Sequence, residues 1–330
     1  MPFATALTRL LGIEHPVLLA PMGFVSGGAL AAAVSAAGGF GIIGGGYADP
    51  EWVEREFAAA GNRPVGCGFI TWALAQRPAA LDMALAHKPA AIMLSFGDAR
   101  PFLAKIKHAG CVVICQVQTL AQARAVLAEG ADIIVAQGTE AGGHGGRRST
   151  LPLVPAVVDM VADSGRQVPV VAAGGITDGR GLAAALVLGA DGVLMGTRFY
   201  ATVEALPSPR AKARVIEAGG DDTLRTTVFD IARGYDWPAE YTGRAVRNTF
   251  SETWHGREEA LKLQGGERTR YAEAAAQGDP DTAVVFAGEG IDLIDAVEPA
   301  AGVLARVIEE AETALRRPVW TTDERRSRPG

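Results

Sequence analysis

Three cysteines in 330 residues, Cys67, Cys111 and Cys115, are too few for a disulfide framework and stand at no metal-ligand spacing, so no metal site is expected. Each lies in an apolar, strand-like run, which fits reduced, buried thiols in a cytoplasmic protein better than a reactive role. An excess of positive charge is also missing. The 31 Lys+Arg against 37 Asp+Glu leave a net charge of −6, which argues against nucleic acid or an anionic membrane surface as the main partner. The N-terminus MPFATALTRLLGIEHP has no basic region followed by an apolar one, so no signal peptide is expected. The uncharged run from Pro16 to Ala48 is long, but Pro21, Gly27-Gly28 and Gly38-Gly39 divide it. No piece reaches the roughly 20 apolar residues that a bilayer requires. Nor does a G-x-G-x-x-G follow the first strand with an acidic residue about twenty positions on, which weakens an open dinucleotide-binding sheet. Composition fixes no oligomeric state, and a homo-oligomer stays open.

What is present is a repeated alternation. Hydrophobic residues make up 48% of the chain, enough for a large core. Short apolar runs at 17–22, 40–45, 65–70, 91–96, 112–117, 132–137, 169–174 and 191–196 read as strands. Ala/Leu-rich stretches between them, such as 29–37, 120–130 and 179–189, repeat their apolar positions at three and four, the helical period. The strands are continuously apolar, as expected of parallel strands covered on both faces. Eight such units predict an α/β fold of the (β/α)8 TIM-barrel type over residues 1–206. From about 207 to 290 the pattern turns to charged helical pieces and aromatic loops with no evident strand, read as a small helical subdomain on the substrate side. Residues 299–316 read as an amphipathic helix closing the barrel, and 318–330 as a disordered tail.

Two glycine-bearing strand ends suggest an anion site. AAGGITDGRG (172–181) follows the seventh strand and MGTRF (195–199) the eighth. Barrels often bind phosphate between these two loops through backbone N–H groups. Ala173, Gly174 and Gly175 would supply one side, Gly196 and Thr197 the other. Tight βα turns are the plainer explanation for a single such loop; two at consecutive strand ends favour phosphate. Many barrel enzymes share this anchor, so it names no reaction.

If the phosphate belongs to a flavin mononucleotide, its ring must lie across the barrel mouth. Pro21-Met22-Gly23 could provide a backbone platform there, or be only a turn with one buried Met. Gln116 is an amide in an apolar strand, which costs free energy without a partner. It can donate and accept, as a flavin's pyrimidine edge requires, or bond neighbouring backbone instead. Gln137 carries the same two readings. His144 is flanked by Gly142-Gly143 and Gly145-Gly146, which would let the backbone approach a flat ligand and set an imidazole beside it. His15, His87, His108 and His255 are read as ordinary core or surface residues. Glu140 is read as holding the loop, and Arg147 and Arg148 as solvated.

Together, GTEAGGHGG (138–146), AAGGITDGRG (172–181), GADGVLMGTRF (189–199) and HPVLLAPM (15–22) resemble the nitronate monooxygenases, formerly 2-nitropropane dioxygenases. The resemblance implies FMN as cofactor. Its FMN contacts fall on Met22, Gly23, Gln116, Gly142, Gly174, Gly175, Gly196 and Thr197, and its catalytic base falls on His144. The implied reaction is oxidation of an alkyl nitronate with O2 to a carbonyl compound and nitrite, with no nicotinamide. For neutral nitroalkanes His144 would first remove the α-proton. The chain departs from its relatives at Gly68, where some carry Asn, at Gln116, where others carry Lys, and at 287–290, which lacks an expected Gln. The alternative is an FMN-dependent NAD(P)H reductase of enoyl-thioester or quinone substrates. A non-flavin phosphate-sugar lyase or isomerase lacks its expected Lys or Glu pair, and a flavin carrier without chemistry is the plainest reading of all.

Overall fold

The computed structural model describes residues 3–317; the tail expected at 318–330 lies outside them. Eight parallel strands follow the alternation read from the sequence. They are β1 (Val17–Leu19), β2 (Ile42–Gly46), β3 (Gly66–Ile70), β4 (Ala91–Ser95), β5 (Val112–Val117) and β6 (Ile133–Gln137), then, after a short β7 (Gly143–Gly145), β8 (Val170–Ala173) and β9 (Gly192–Met195). The sheet order is β1-β9-β8-β6-β5-β4-β3-β2, and a parallel bridge from Leu18 to Phe40 brings its two ends together. The result is a nearly closed (β/α)8 barrel surrounded by helices.

Period-two alternation divides the strands' apolar residues into two cores. Leu18, Ile42, Met93, Ile114, Ile133, Val135, Val171 and Leu194 fill the barrel interior. Their neighbours, among them Val17, Leu19, Ile92, Leu94, Val113 and Ile134, face the surrounding helices. Cys67, Cys111 and Cys115 are free and buried, and burial raises all three thiols above their ordinary pKa. Such thiols stay protonated and inert.

The helix Ala300–Arg316 covers the first and last units, packing on the helices Gly179–Val187 and Gly28–Ala36. Its contact with the former is backbone-close: a Cβ at Gly179 would lie 2.3 Å from both the Ala311 nitrogen and the Val307 oxygen. Glu310 accepts the Gly179 N–H at 2.9 Å.

One sequence reading needs correction. The stretch 207–290 holds helices at Pro209–Glu217, Val228–Arg233, Thr249–Trp254 and Gly265–Ala276, but also two strands, β10 (Thr223–Thr226) and β11 (Thr242–Val246). They pair antiparallel with each other, and β11 pairs antiparallel with β7. Four- and five-residue strands with Arg, Thr and Gly leave too short an alternation to read. Among the described residues no helix is long and apolar enough to cross a membrane.

The closing helix gives a paired prediction. Gly179→Ala should lower stability by about 1–3 kcal/mol, because the backbone contact must open. Gly302→Ala lies inside the same closing helix with open space around its would-be Cβ. It should raise stability by about 0.5–1 kcal/mol through helix propensity alone. Thermal melts of the two variants should shift in opposite directions; a shared direction would mean the helix is not packed in this way.

Candidate active site

The barrel's inward register continues upward into the site. On β5 the lumen-facing positions after Ile114 lead to Gln116, and on β6 those after Ile133 and Val135 lead to Gln137. Register sets Gln116 opposite Val135, so the two amides are diagonal neighbours. Gln116 Nε2 donates to Gln137 Oε1 at 3.2 Å, and Gln118 Nε2 donates to the same oxygen at 2.9 Å. Gln137 Nε2 donates to the His144 carbonyl at 3.0 Å. Gln137 is therefore consumed in holding the histidine backbone, while Gln116 keeps its carbonyl oxygen for the cavity.

Pro21, Met22, Gly23, Gln116, Gln137, Gly142, His144, Ala173, Gly174, Gly175, Gly196 and Thr197, all named from sequence, line one cavity at the C-terminal mouth of the barrel. At its anion end, Gly174 and Gly175 adopt left-handed φ values of 106° and 70°. Among the described residues the amides of Gly174, Gly175, Gly196 and Thr197 donate to nothing. Glu140 clamps this end from behind, accepting from the Thr150 amide at 2.9 Å and its hydroxyl at 2.7 Å. That is the loop-holding role read from sequence. Unpaired amides facing a cavity at two adjoining strand ends are what a phosphate requires. The residues present therefore fit a phosphate group.

At the other end, a Cβ at Gly68 would lie 2.4 Å from the Pro21 ring. Pro21 therefore leaves no room for a side chain at position 68 without a shift of its ring. The Gly288 amide donates to Thr197 Oγ1 at 3.0 Å, and a Cβ at Gly290 would meet Thr177 Oγ1 at 2.2 Å.

His144 is not in a loop: it is the central residue of β7, paired with Gly243 of β11. Arg225 on β10 fastens the segment, donating to Thr139 Oγ1 at 3.0 Å and to the Gly145 carbonyl at 3.3 Å. Burial and neighbouring Arg244 lower the Arg225 pKa to about 10, so it stays cationic at neutral pH. The glycines around His144 serve protein packing as well as the cavity. A Cβ at Gly142 would lie 2.6 Å from the Ala287 carbonyl carbon, and one at Gly145 would lie 2.8 Å from Arg225.

The His144 Nε2 lies 2.9 Å from Asp230 Oδ2, and both side chains are buried. An ionised carboxylate only accepts, so Nε2 carries the proton and Nδ1 keeps the lone pair. Burial lowers the imidazole pKa below its ordinary value. Hydrogen bonding to Asp230 and its charge oppose this, and the charges of Arg233 and Arg225 reinforce it. The ring stacks on Trp237 with centroids 3.4 Å apart and planes 4° from parallel. Phe96 and Phe286 close in at 6.4 and 5.5 Å. At neutral pH the site thus holds a neutral, oriented base.

Asp230, Trp237, Arg233, Phe96, Tyr47 and Phe286 were not anticipated. The segment FDIARGYDWP was noticed as an aromatic loop, but nothing in it indicated contact with a residue 86 positions away. Arg147 is exposed and Arg148 donates to the Pro152 carbonyl at 3.3 Å; neither lines the cavity.

The nitronate monooxygenase family model matches residues 4–66 and 70–310. A nitronate monooxygenase of Neurospora crassa is 34% identical, across 92% of this chain and 91% of its own length. A 5-hydroxy-7a-methyl-1-oxo-octahydro-1H-indene-4-carboxyl-CoA dehydrogenase of Mycobacterium tuberculosis is 40% identical over 70% of this chain, and the match spans 65% of that enzyme. Among solved structures, FabK from Thermotoga maritima superposes with a TM-score of 0.80 at 31% identity, covering 94% of this chain and 97% of that one. A nitroalkane oxidase from Streptomyces ansochromogenes gives 0.76 at 29% identity, covering 94% of this chain and 100% of that one. With a family model spanning nearly its whole described length, this chain belongs to the nitronate monooxygenase family and is an oxidoreductase.

Proposed function

We propose that the cavity holds FMN and that the protein oxidises alkyl nitronates, and nitroalkanes after deprotonation, with O2 to a carbonyl compound and nitrite. The observation that carries this is one cavity joining two roles. Free amides meet at two adjoining strand ends, and a buried His144 is held by Asp230 on its far nitrogen. The amides of Gly174, Gly175, Gly196 and Thr197 would hold the phosphate, and Gln116 the pyrimidine edge of the ring. The ring would rest against the backbone of Pro21, Met22 and Gly23 and that of Gly142. Bound FMN would supply electron acceptance from the nitronate and delivery to O2.

The chain's own contribution is proton handling and exclusion of water. Nδ1 of His144 would take the α-proton of a neutral nitroalkane, while Nε2–H keeps its bond to Asp230. Asp230 stabilises the imidazolium as it forms, without itself being protonated. Trp237, Phe96 and Phe286 keep the transfer dry. A nitronate arrives already deprotonated and needs no base.

A reductase reading keeps two supports, the identity to a dehydrogenase over 70% of the chain and the likeness to FabK over 94% of it. One experiment separates the two. Purified protein should be yellow and release FMN on denaturation, and it should consume O2 with propionate 3-nitronate in the absence of NAD(P)H. A colourless protein overturns both readings. Absence of O2 uptake, together with rapid flavin reduction by NADH or NADPH, assigns the reductase.

Asp230→Asn should retain FMN but lose about 10- to 1,000-fold in kcat/KM on neutral nitroalkanes, because the tautomer and the imidazolium lose their support. Ionised nitronates should be nearly unaffected. Equal losses on both substrates would remove His144 from the base role.

The direction of the His144 shift sets the pH profile. A base with a lowered pKa stays neutral as the pH falls through the ordinary histidine value of about 6.5. For neutral nitroalkanes, the acidic limb of kcat/KM should therefore lie below that value. Asp230→Asn removes the contributions that raise the pKa and should move the limb further down. A limb above the ordinary value would contradict the burial assigned here.

A further inference from the structure

Arg233 is the only Lys or Arg lining the cavity among the described residues, and no Asp or Glu lines it. It ends the helix Val228–Arg233, one turn after Asp230. Its guanidinium carbon sits 4.6 Å from the Tyr235 ring centroid, 5.5 Å from that of Tyr47 and 5.9 Å from that of Phe286. Aromatic faces thus pack around it, but none offers a counter-charge. Among the described residues it forms no ion pair or hydrogen bond. Asp230, three residues before it, binds His144 instead, and Asp236, three residues after it, is exposed and forms no ion pair with it. Tyr47 and Tyr235 stack on each other at 3.7 Å, and Tyr47 accepts from Trp237 Nε1 at 3.0 Å, so the cradle is itself fixed.

A half-buried cation without an anion is costly unless a ligand supplies one. A guanidinium fork matches a planar group bearing two oxygens, and the aromatic cradle holds its plane without satisfying its N–H donors. Phe286 touches both Arg233 and the His144 ring, so the cation and the base adjoin the same face of the cavity.

Resting on the nitronate reading above, we propose that Arg233 is a specificity-determining residue that receives a planar two-oxygen anion of the substrate. That chemistry has two sources. One is the nitronate group itself, where Arg233 would also stabilise the charge that builds as His144 removes a proton. The other is a carboxylate at the far end of a substrate such as propionate 3-nitronate.

The test uses the purified, flavin-loaded enzyme and two isosteric probes, benzoate and its neutral amide benzamide, titrated by quenching of tryptophan fluorescence. This needs no turnover. Wild type should bind benzoate more tightly than benzamide. Arg233→Met should weaken benzoate by about 10- to 100-fold, the range of a charge-assisted hydrogen-bonded pair, and leave benzamide within about twofold. Arg233→Lys, which keeps the charge and loses the fork, should fall between. If both probes weaken together, Arg233 only packs the cradle; if neither weakens, or wild type does not prefer benzoate, there is no anion site. Either result overturns the proposal.

Turnover then separates the sources. In Arg233→Met, a raised KM for ethyl nitronate and propionate 3-nitronate alike assigns the nitronate group. A rise confined to propionate 3-nitronate assigns the carboxylate. Unchanged KM for both overturns the proposal. Benzoate selectivity without O2 uptake on any nitronate would sink the proposed reaction and leave the anion site standing.

Discussion

The pairing of Gly143–Gly145 with Thr242–Arg244 is the constraint on which the site depends. It joins an excursion from the sixth barrel strand to a segment almost a hundred residues later, and it sets Gly243 opposite His144. Antiparallel register fixes which way a side chain points, so a one-residue slip would turn the imidazole away from Asp230. Two further fastenings protect that register. Arg225 ties β10 to the Gly145 carbonyl, and Gln137 ties the barrel wall to the His144 carbonyl. A histidine on a glycine-rich loop would sample many orientations. Held at both backbone and ring, this one has a single orientation.

The parts of this arrangement legible in the sequence are those governed by local period. Strands β1 to β6, β8 and β9 stood out because each is a continuous apolar run between turns, and all eight occur. Gln116 and Gln137 stood out because an amide in such a run is costly, and both belong to the lumen-facing register. Strands β10 and β11 did not stand out, since their side chains mix Thr, Arg and Gly, and their stability comes from pairing rather than pattern. Asp230 and Trp237 were hidden for a deeper reason. Each is ordinary in its own segment, and each gains its role only from a contact across the fold. The meaning of the glycines beside His144 also changed. Gly142 and Gly145 are demanded by Ala287 and Arg225, so the glycine signature records how closely later segments pack on this strand, as much as how closely a ligand approaches.

Charge is distributed unevenly around the cavity, and this shapes its chemistry. Its walls hold amides, aromatic rings, glycine backbone and, among the described residues, the single cation Arg233, while Arg225, Arg244, Glu140 and Glu289 stand behind them. In such surroundings a charge is poorly solvated, and the imidazole is correspondingly kept neutral. In the proposed reaction, proton transfer from a carbon acid to His144 would create two charges at once, an imidazolium and a carbanion delocalised onto oxygen. The first has Asp230 beside it. Among the described residues, the second oxygen of Asp230, Oδ1, is also buried without a hydrogen-bond partner. That cost is of the order of 1–3 kcal/mol, and its counterpart is a carboxylate whose electrostatic capacity is not exhausted by one bond.

The aromatic cover completes the argument. Trp237 lies flat against the imidazole, and its indole N–H is fixed by Tyr47, so one face of the base is closed while its Nδ1 edge carries the lone pair. Phe96, which closes in edge-on, does so from a left-handed backbone conformation at φ 64°, a strained setting for a bulky residue. The segment bearing Trp237 leaves its helix at Gly234, again with a left-handed φ of 72°. Strain on one side and a glycine exit on the other serve one geometric end. They bring rings from separate loops around a single imidazole, whose side chain is left only 7% exposed. A neutral base in that position can exchange its proton only with what the cavity admits, and so its selectivity belongs to the cavity's shape and charge rather than to the histidine.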